Sequence, residues 1–199
     1  MTRHRYLTSV ALLAIVAPLI AGACVERRSL APVDELWSRL AALCGKAYQG
    51  TVVQAPAGDT TFANRSLVMH VRECNDSSVL VPFHVGDNRS RTWVLTRTAR
   101  GIRLKHDHRH EDGMPDSITQ YGGDSRLVVT PARVEFPADS QTRELIPAAA
   151  ANVWTVEIDT AHFVYALRRE GTDRRFRIEF DLTRPVSAPP PPWGKDRAP

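Results

Sequence analysis

The chain has 199 residues, 43% of them hydrophobic and 24% charged, with a formal net charge of +4. Its basic residues are scattered among acids and form no stripe interleaved with aromatics, which argues against a nucleic-acid partner. Arginine outnumbers lysine by 23 to 3 and alanine is frequent, as in proteins of GC-rich bacterial genomes. On that reading the N-x-S triplets at Asn64, Asn75 and Asn88 are chance matches, not glycosylation sites.

The N-terminus reads as an export signal. Arg3, His4 and Arg5 precede an apolar run over residues 6–20, which ends in Ala21-Gly22-Ala23-Cys24. A basic head, an apolar run of about fifteen residues and small residues before the cut make a signal peptide, too short for a comfortable membrane span. Ala21 and Ala23 suit ordinary signal peptidase. The same four residues resemble a bacterial lipobox, with Ala21 where leucine is usual. That resemblance implies a lipidated Cys24 as the mature N-terminus, with Val25 directing the protein to the outer membrane; the alternative is a soluble periplasmic or secreted protein. Loss of residues 1–23 removes Arg3 and Arg5 and so lowers the net charge by two. The remainder is of single-domain size. We expect a tether over 24–32, one β-rich domain over 33–184 and a Pro-rich tail over 185–199.

Cys24, Cys44 and Cys74 are the three cysteines. With Cys24 lipidated, Cys44 and Cys74 remain to pair in an oxidising compartment; the alternative is two buried thiols. Residues 33–43 form a helix, since Leu36, Leu40 and Leu43 recur at i, i+4 and i+7 with Trp37 on the same face. Asp34 and Glu35 suit its positive end and Gly45 its stop. A strand follows at 48–53. The spacing Leu40-x2-Leu43-x-Gly45-x2-Tyr48-x-Gly50 resembles the helix and first strand of lipocalin-like small barrels, which usually carry Trp at the Tyr48 position. The likeness spans under twenty residues and transfers no functional residue.

Strand-like runs recur at 66–74, 79–85, 91–98, 102–110, 127–136, 153–158, 162–169 and 176–182, separated by Gly, Asn and Asp breakers. In the last run Phe176, Ile178, Phe180 and Leu182 face one side while Arg177, Glu179 and Asp181 face the other, a pattern of antiparallel sheets. The expected fold is mainly all-β: an antiparallel barrel or strongly curved sheet of about 8–9 strands with one N-terminal helix. Residues 137–151 read as a short helix or a long loop, and Tyr121-Gly122-Gly123-Asp124 as a turn. The proline run before Trp193 favours polyproline II, as a recognition motif, a stiff extension docked on the barrel, or disorder.

Chemistry is hinted at in one hairpin. Strand 91–98 leads through Thr98-Ala99-Arg100-Gly101, where Gly101 can take positive φ. In the next strand Ile102 and Leu104 share a face, and His106, His108 and His110 continue it. Neighbouring imidazoles can share a divalent transition metal, with Glu111 or Asp112 as oxygen ligands. The alternative is that residues 106–111 form a solvated loop. The spacing matches neither the cupin pattern nor the H-E-x-x-H helix of zinc proteases. His70, His84 and His162 read as lone structural or surface histidines. No Gly-x-Ser-x-Gly elbow or phosphate loop is present, and no acid–base pair emerges, so no catalytic residue is assigned.

In overall style the chain resembles secreted and lipid-anchored β-proteins of Gram-negative bacteria, a likeness that implies no activity. The expected function is a cell-envelope lipoprotein, held to the membrane by its N-terminal lipid, that binds a small ligand or an envelope protein. The alternative is a metal carrier or metallohydrolase using His106, His108 and His110.

Overall fold

Antiparallel pairing carries the chain from residue 47 to residue 186. The structure is a computed structural model that describes residue 1 and residues 31–126, 130 and 132–195. The expected signal peptide and Cys24 lie outside the described residues, as do residues 127–129 and 131 of the run expected at 127–136. The elements are α1 (Ala31–Ala41), β1 (Ala47–Gln54), β2 (Leu67–His70), β3 (Glu73–Cys74), β4 (Ser78–Val85), β5 (Asn88–Thr98), β6 (Gly101–His108) and β7 (Tyr121–Asp124). They continue with β8 (Arg133–Pro137), α2 (Ser140–Leu145), a 3-10 turn (Pro147–Ala149), β9 (Asn152–Ile158), β10 (His162–Arg169) and β11 (Arg175–Val186). The strands form one sheet in the order β7-β6-β5-β4-β2-β1-β11-β10-β9-β8, with β3 beside β4. This is a nearly closed antiparallel barrel of eleven strands. It departs from the expected count because the run at 66–74 divides into two short strands and because β7 was read as a turn.

The glycines of β7 explain that departure. The two ends of the sheet meet where Asp139 N–H donates to Gly122 O at 2.9 Å and Arg126 N–H donates to Glu135 O at 2.8 Å. A Cβ on Gly122, whose φ is +146°, would lie 2.0 Å from Leu104 O; one on Gly123 would lie 1.9 Å from Pro137 O. Glycine therefore serves here for close backbone approach on both sides of one strand. Helix α2 seals the seam from outside. Asp139 caps it by accepting from Thr142 N at 2.8 Å, Lys105 Nζ pairs with Asp139 at 2.7 Å, and Thr142 Oγ1 accepts from Gly122 N at 2.7 Å.

One end of the barrel is closed by α1. Val33, Leu36, Trp37 and Leu40 join the core, with Leu36 and Leu40 at 1% exposure. Each such leucine contributes about 2 kcal/mol of transfer free energy. At this end Arg97 of β5 pairs with Asp34 and lies 5.4 Å from the Trp37 ring centroid. A Cys44–Cys74 disulfide, with Cα atoms 6.2 Å apart, ties the residues after α1 to β3. The outer face of β8–β11 carries alternating charges linked as ion pairs, among them Glu135–Arg168 at 2.8 Å and Glu157–Arg177 at 3.1 Å. Such a face suits water, not the apolar belt of a membrane-spanning barrel.

Across the middle of the barrel the aromatics stack. Trp93 lies against Tyr165 at 4.2 Å between ring centroids and against Phe83 at 4.8 Å, with Phe163 and Phe180 around it. These rings fill the interior below the opposite, open end.

Two expectations follow. Cys44→Ser should lower the unfolding free energy by about 3–4 kcal/mol, the loop-closure value for a link across this span, without altering the far-ultraviolet circular dichroism; equal stability of variant and wild type in denaturant titration would contradict it. Gly123→Val should cost about 2 kcal/mol or more, because the atom it meets is backbone and cannot rotate away. A melting temperature unchanged from wild type would show that the seam has more room than the geometry gives.

Candidate functional site

The open end holds a cavity of about 430 Å³. Its walls come from the mouth-side ends of β5, β6, β7, β9, β10 and β11, and from loops carrying Phe62, Ile118 and Ile146. Trp154, Leu167, Phe176 and Ile178 are among its apolar lining residues. The polar groups facing it include Arg91, His108, Tyr121, Tyr165, Arg169 and Arg174, with Asp116 at the rim.

The predicted hairpin builds one side of this site. Thr98 pairs with Gly101 across a two-residue connection, and the register then sets Leu95 opposite Leu104, Trp93 opposite His106 and Arg91 opposite His108. Gly101 has φ +150°. Ile102 and Leu104 are fully buried, and His106 continues their face at 2% exposure. The polar residues Arg103 and Asp107 take the other phase.

His106 is part of the wall. Its ring stacks on Tyr121 at 4.5 Å between centroids and lies 5.1 Å from Trp154. Its Nδ1 lies 3.0 Å from Tyr121 O, and since a carbonyl only accepts, Nδ1 carries the proton. Nε2 then accepts from the Tyr165 hydroxyl at 2.7 Å. Both ring nitrogens are thus engaged. His108 sits nearer the mouth, with Nε2 3.0 Å from the Tyr121 hydroxyl. His110 lies beyond the end of β6 and is exposed, in a turn closed by Gly113 N–H donating to His110 O at 2.9 Å. Glu111 and Asp112 are exposed in the same turn, and Asp112 Oδ1 accepts from Met114 N at 2.9 Å.

The three histidines therefore do not converge on one point. The strand ends before His110, and His106 has spent its lone pair on Tyr165. Among the described residues no group of three or more His, Cys, Asp or Glu side chains is disposed to hold a metal ion. His84 is also buried, with Nε2 lacking a hydrogen-bond partner, near the docked C-terminal segment. That segment lies along the barrel through Arg89 Nη1 donating to Pro191 O at 2.9 Å and Trp193 N–H donating to Arg89 O at 3.2 Å.

Burial sets the protonation of the site. It pulls the His106 pKa down to about 3 and that of His108, which also faces Arg91, down to about 4. Burial pushes the Tyr121 hydroxyl up to about 12 and that of Tyr165 well above the ordinary value. At neutral pH these four groups are all uncharged. The guanidinium of Arg91 is the charge among them, and burial pulls its pKa below the usual arginine value.

Arg91 is the site residue that sequence reasoning passed over. The signal was present: Arg91 is in phase with Trp93 and Leu95, and so belongs to the inner face of β5. Arg169 and Arg174 reach the same cavity from the end of the distant β10 and from the turn before β11, a convergence that no local pattern encodes. No protein-family profile matches the chain, and comparison with curated proteins and with solved structures likewise returns no match.

The neutral histidines give a pH expectation. Histidine in an unfolded chain titrates near pH 6.5. Below that pH the unfolded chain takes up protons that folded His106 and His108 refuse, so stability falls as pH drops from about 6.5 toward about 3–4 and the loss levels off below. His106→Gln should flatten this dependence in melting curves taken between about pH 7 and pH 4. Parallel curves for variant and wild type would mean that His106 is not held neutral by the fold.

Proposed function

We propose that the protein is a non-enzymatic binding protein of the bacterial envelope, anchored by a lipid on Cys24, that takes a small, largely apolar ligand into the mouth of its barrel. The observation that carries the binding reading is the asymmetry of the interior. One end is filled by α1 and the aromatic stack, while the other keeps a cavity of about 430 Å³ between aromatic and aliphatic walls. Small-molecule sites are concave, mostly apolar pockets of roughly 300–1,000 Å³ with a few polar groups, and barrel mouths are a favoured place for them. A protein core without such a role packs to crystal-like density. Among the described residues no group of three or more His, Cys, Asp or Glu side chains is disposed to hold a metal ion at the cavity, and binding needs none. The anchoring reading rests on Ala21-Gly22-Ala23-Cys24 behind a basic, apolar leader. The Cys44–Cys74 disulfide is compatible with a compartment outside the cytoplasm.

Both parts can be tested in cells of a Gram-negative host. Wild type should fractionate with membranes and show a lipid mass on Cys24 by intact-mass analysis, and Cys24→Ser should move to the soluble periplasm. An unmodified Cys24 at the N-terminus of wild type would remove the anchor. For the cavity, Leu167→Trp, at a half-buried wall position, should obstruct the space and reduce capture of apolar probes, such as naphthalene derivatives, while leaving the fold intact. Equal capture by the variant would place the binding elsewhere.

A further inference from the structure

The charges of the mouth define a ligand class, if the small-ligand reading above holds. Several arginines on the outer surface pair with carboxylates, as Arg103 does with Asp124 and Arg168 with Glu135 and Glu170. Arg91 faces inward and has no such partner among the described residues. Its guanidinium donates to Asn88 Oδ1 at 2.9 Å, and its other contact, Ser90 Oγ, is at the 3.5 Å limit. A guanidinium has five N–H donors, so most of this fork is available. The side chains that surround it cannot supply an anion: His108, Tyr121 and Tyr165 are neutral.

The rest of the cavity adds to the imbalance. Arg169 reaches the same space and bonds to the neutral Asn152 Oδ1 at 3.0 Å. Arg174 is offset by Asp59 at 3.1 Å and lies 5.3 Å from the Phe176 ring centroid. The one carboxylate lining the cavity, Asp116, sits at the rim, where it accepts from Ile118 N at 2.9 Å and from Ser117 Oγ at 3.2 Å. Two guanidiniums without carboxylate partners thus face a largely apolar chamber whose other uncompensated charge among the described residues is the rim carboxylate of Asp116. A partly buried cation is costly unless something compensates it. Planar, bidentate recognition of a carboxylate is what an arginine fork does best.

We propose that the mouth selects amphipathic monoanions: Arg91 receives the carboxylate, Arg169 adds to the field, and an aromatic or aliphatic body lies against Trp154, Phe62 and Phe176. A cationic or polyhydroxylated ligand fits neither the charge nor the walls. With Arg174 offset by Asp59 and the rim carboxylate of Asp116 opposing one of the two remaining guanidiniums, the chamber calls for one negative charge and not two.

The test is equilibrium dialysis of the full chain against matched probes that differ only in the head: 2-naphthoate, 2-naphthylmethanol and 2-naphthylmethylamine, with decanoate and 1-decanol as an aliphatic pair. The carboxylates should bind roughly ten- to hundredfold tighter than the alcohols, the worth of a hydrogen bond to a charged group, and the amine weakest. Arg91→Gln should abolish the preference for carboxylate over alcohol. Arg91→Lys, which keeps the charge without the fork, should retain part of it. If carboxylate and alcohol bind alike, or if the preference survives in both variants, the anion inference falls and the apolar-cavity reading stands. If no probe of either series binds better than millimolar, the cavity reading falls and takes the inference with it.

Discussion

The barrel exists because two backbones can touch β7 at once. Leu104 O on one side and Pro137 O on the other lie where the Cβ atoms of Gly122 and Gly123 would have to be. With any larger residue the strand would be pushed off one neighbour. The sheet would then open into a curved ribbon with β7 and β8 as exposed edges, which are sites for pairing with other chains. Closure is also what makes the interior dry. Burial of His106 and Tyr165, and hence their protonation, depends on it. Helix α2 depends on it in turn, since Thr142 and Asp139 bond to Gly122.

Inside the closed wall the polar groups obey a strict economy. His106 satisfies both nitrogens through Tyr121 O and the Tyr165 hydroxyl, so an imidazole can stand at 2% exposure beside Trp154 without a charge or an orphan donor. Neutral hydrogen bonds of this kind contribute only about 1 kcal/mol each, but leaving one group unpaired costs more than that. His106 therefore reads as a structural residue that fixes the relative positions of β6, β7 and β10. That role is distinct from the metal ligation its spacing suggested.

Much of this was legible from the chain. Helical spacing located α1, and alternation located most strands and the inner face of β6, because a strand with one buried face writes that face into every second residue. The phase of Ile102, Leu104 and His106 was correct for the same reason. Alternation does not say where a strand stops. It carried His110 onto a face that the chain leaves after His108, and so joined three histidines that the fold separates. The glycine pair failed differently. Glycine marks both turns and close approaches, and only the partner strand, far away in sequence, decides between them. Cys44 and Cys74 were legible as a pair because so few cysteines remain once Cys24 is set aside.

Arg91 and Arg97 differ in what the fold supplies to each. They occupy the same face of β5, near opposite ends of the barrel. At the closed end α1 brings Asp34 to the guanidinium of Arg97 and Trp37 beneath it. At the open end no described residue does the same for Arg91. Had Arg91 been a stability device, a carboxylate at position 108 or 121, its cross-strand and next-strand neighbours, would have sufficed. Those positions instead hold a histidine and a tyrosine that burial keeps neutral. The contrast between the two ends is the physical basis of the proposal that Arg91 meets an anionic ligand, since a half-buried cation is costly unless something compensates it.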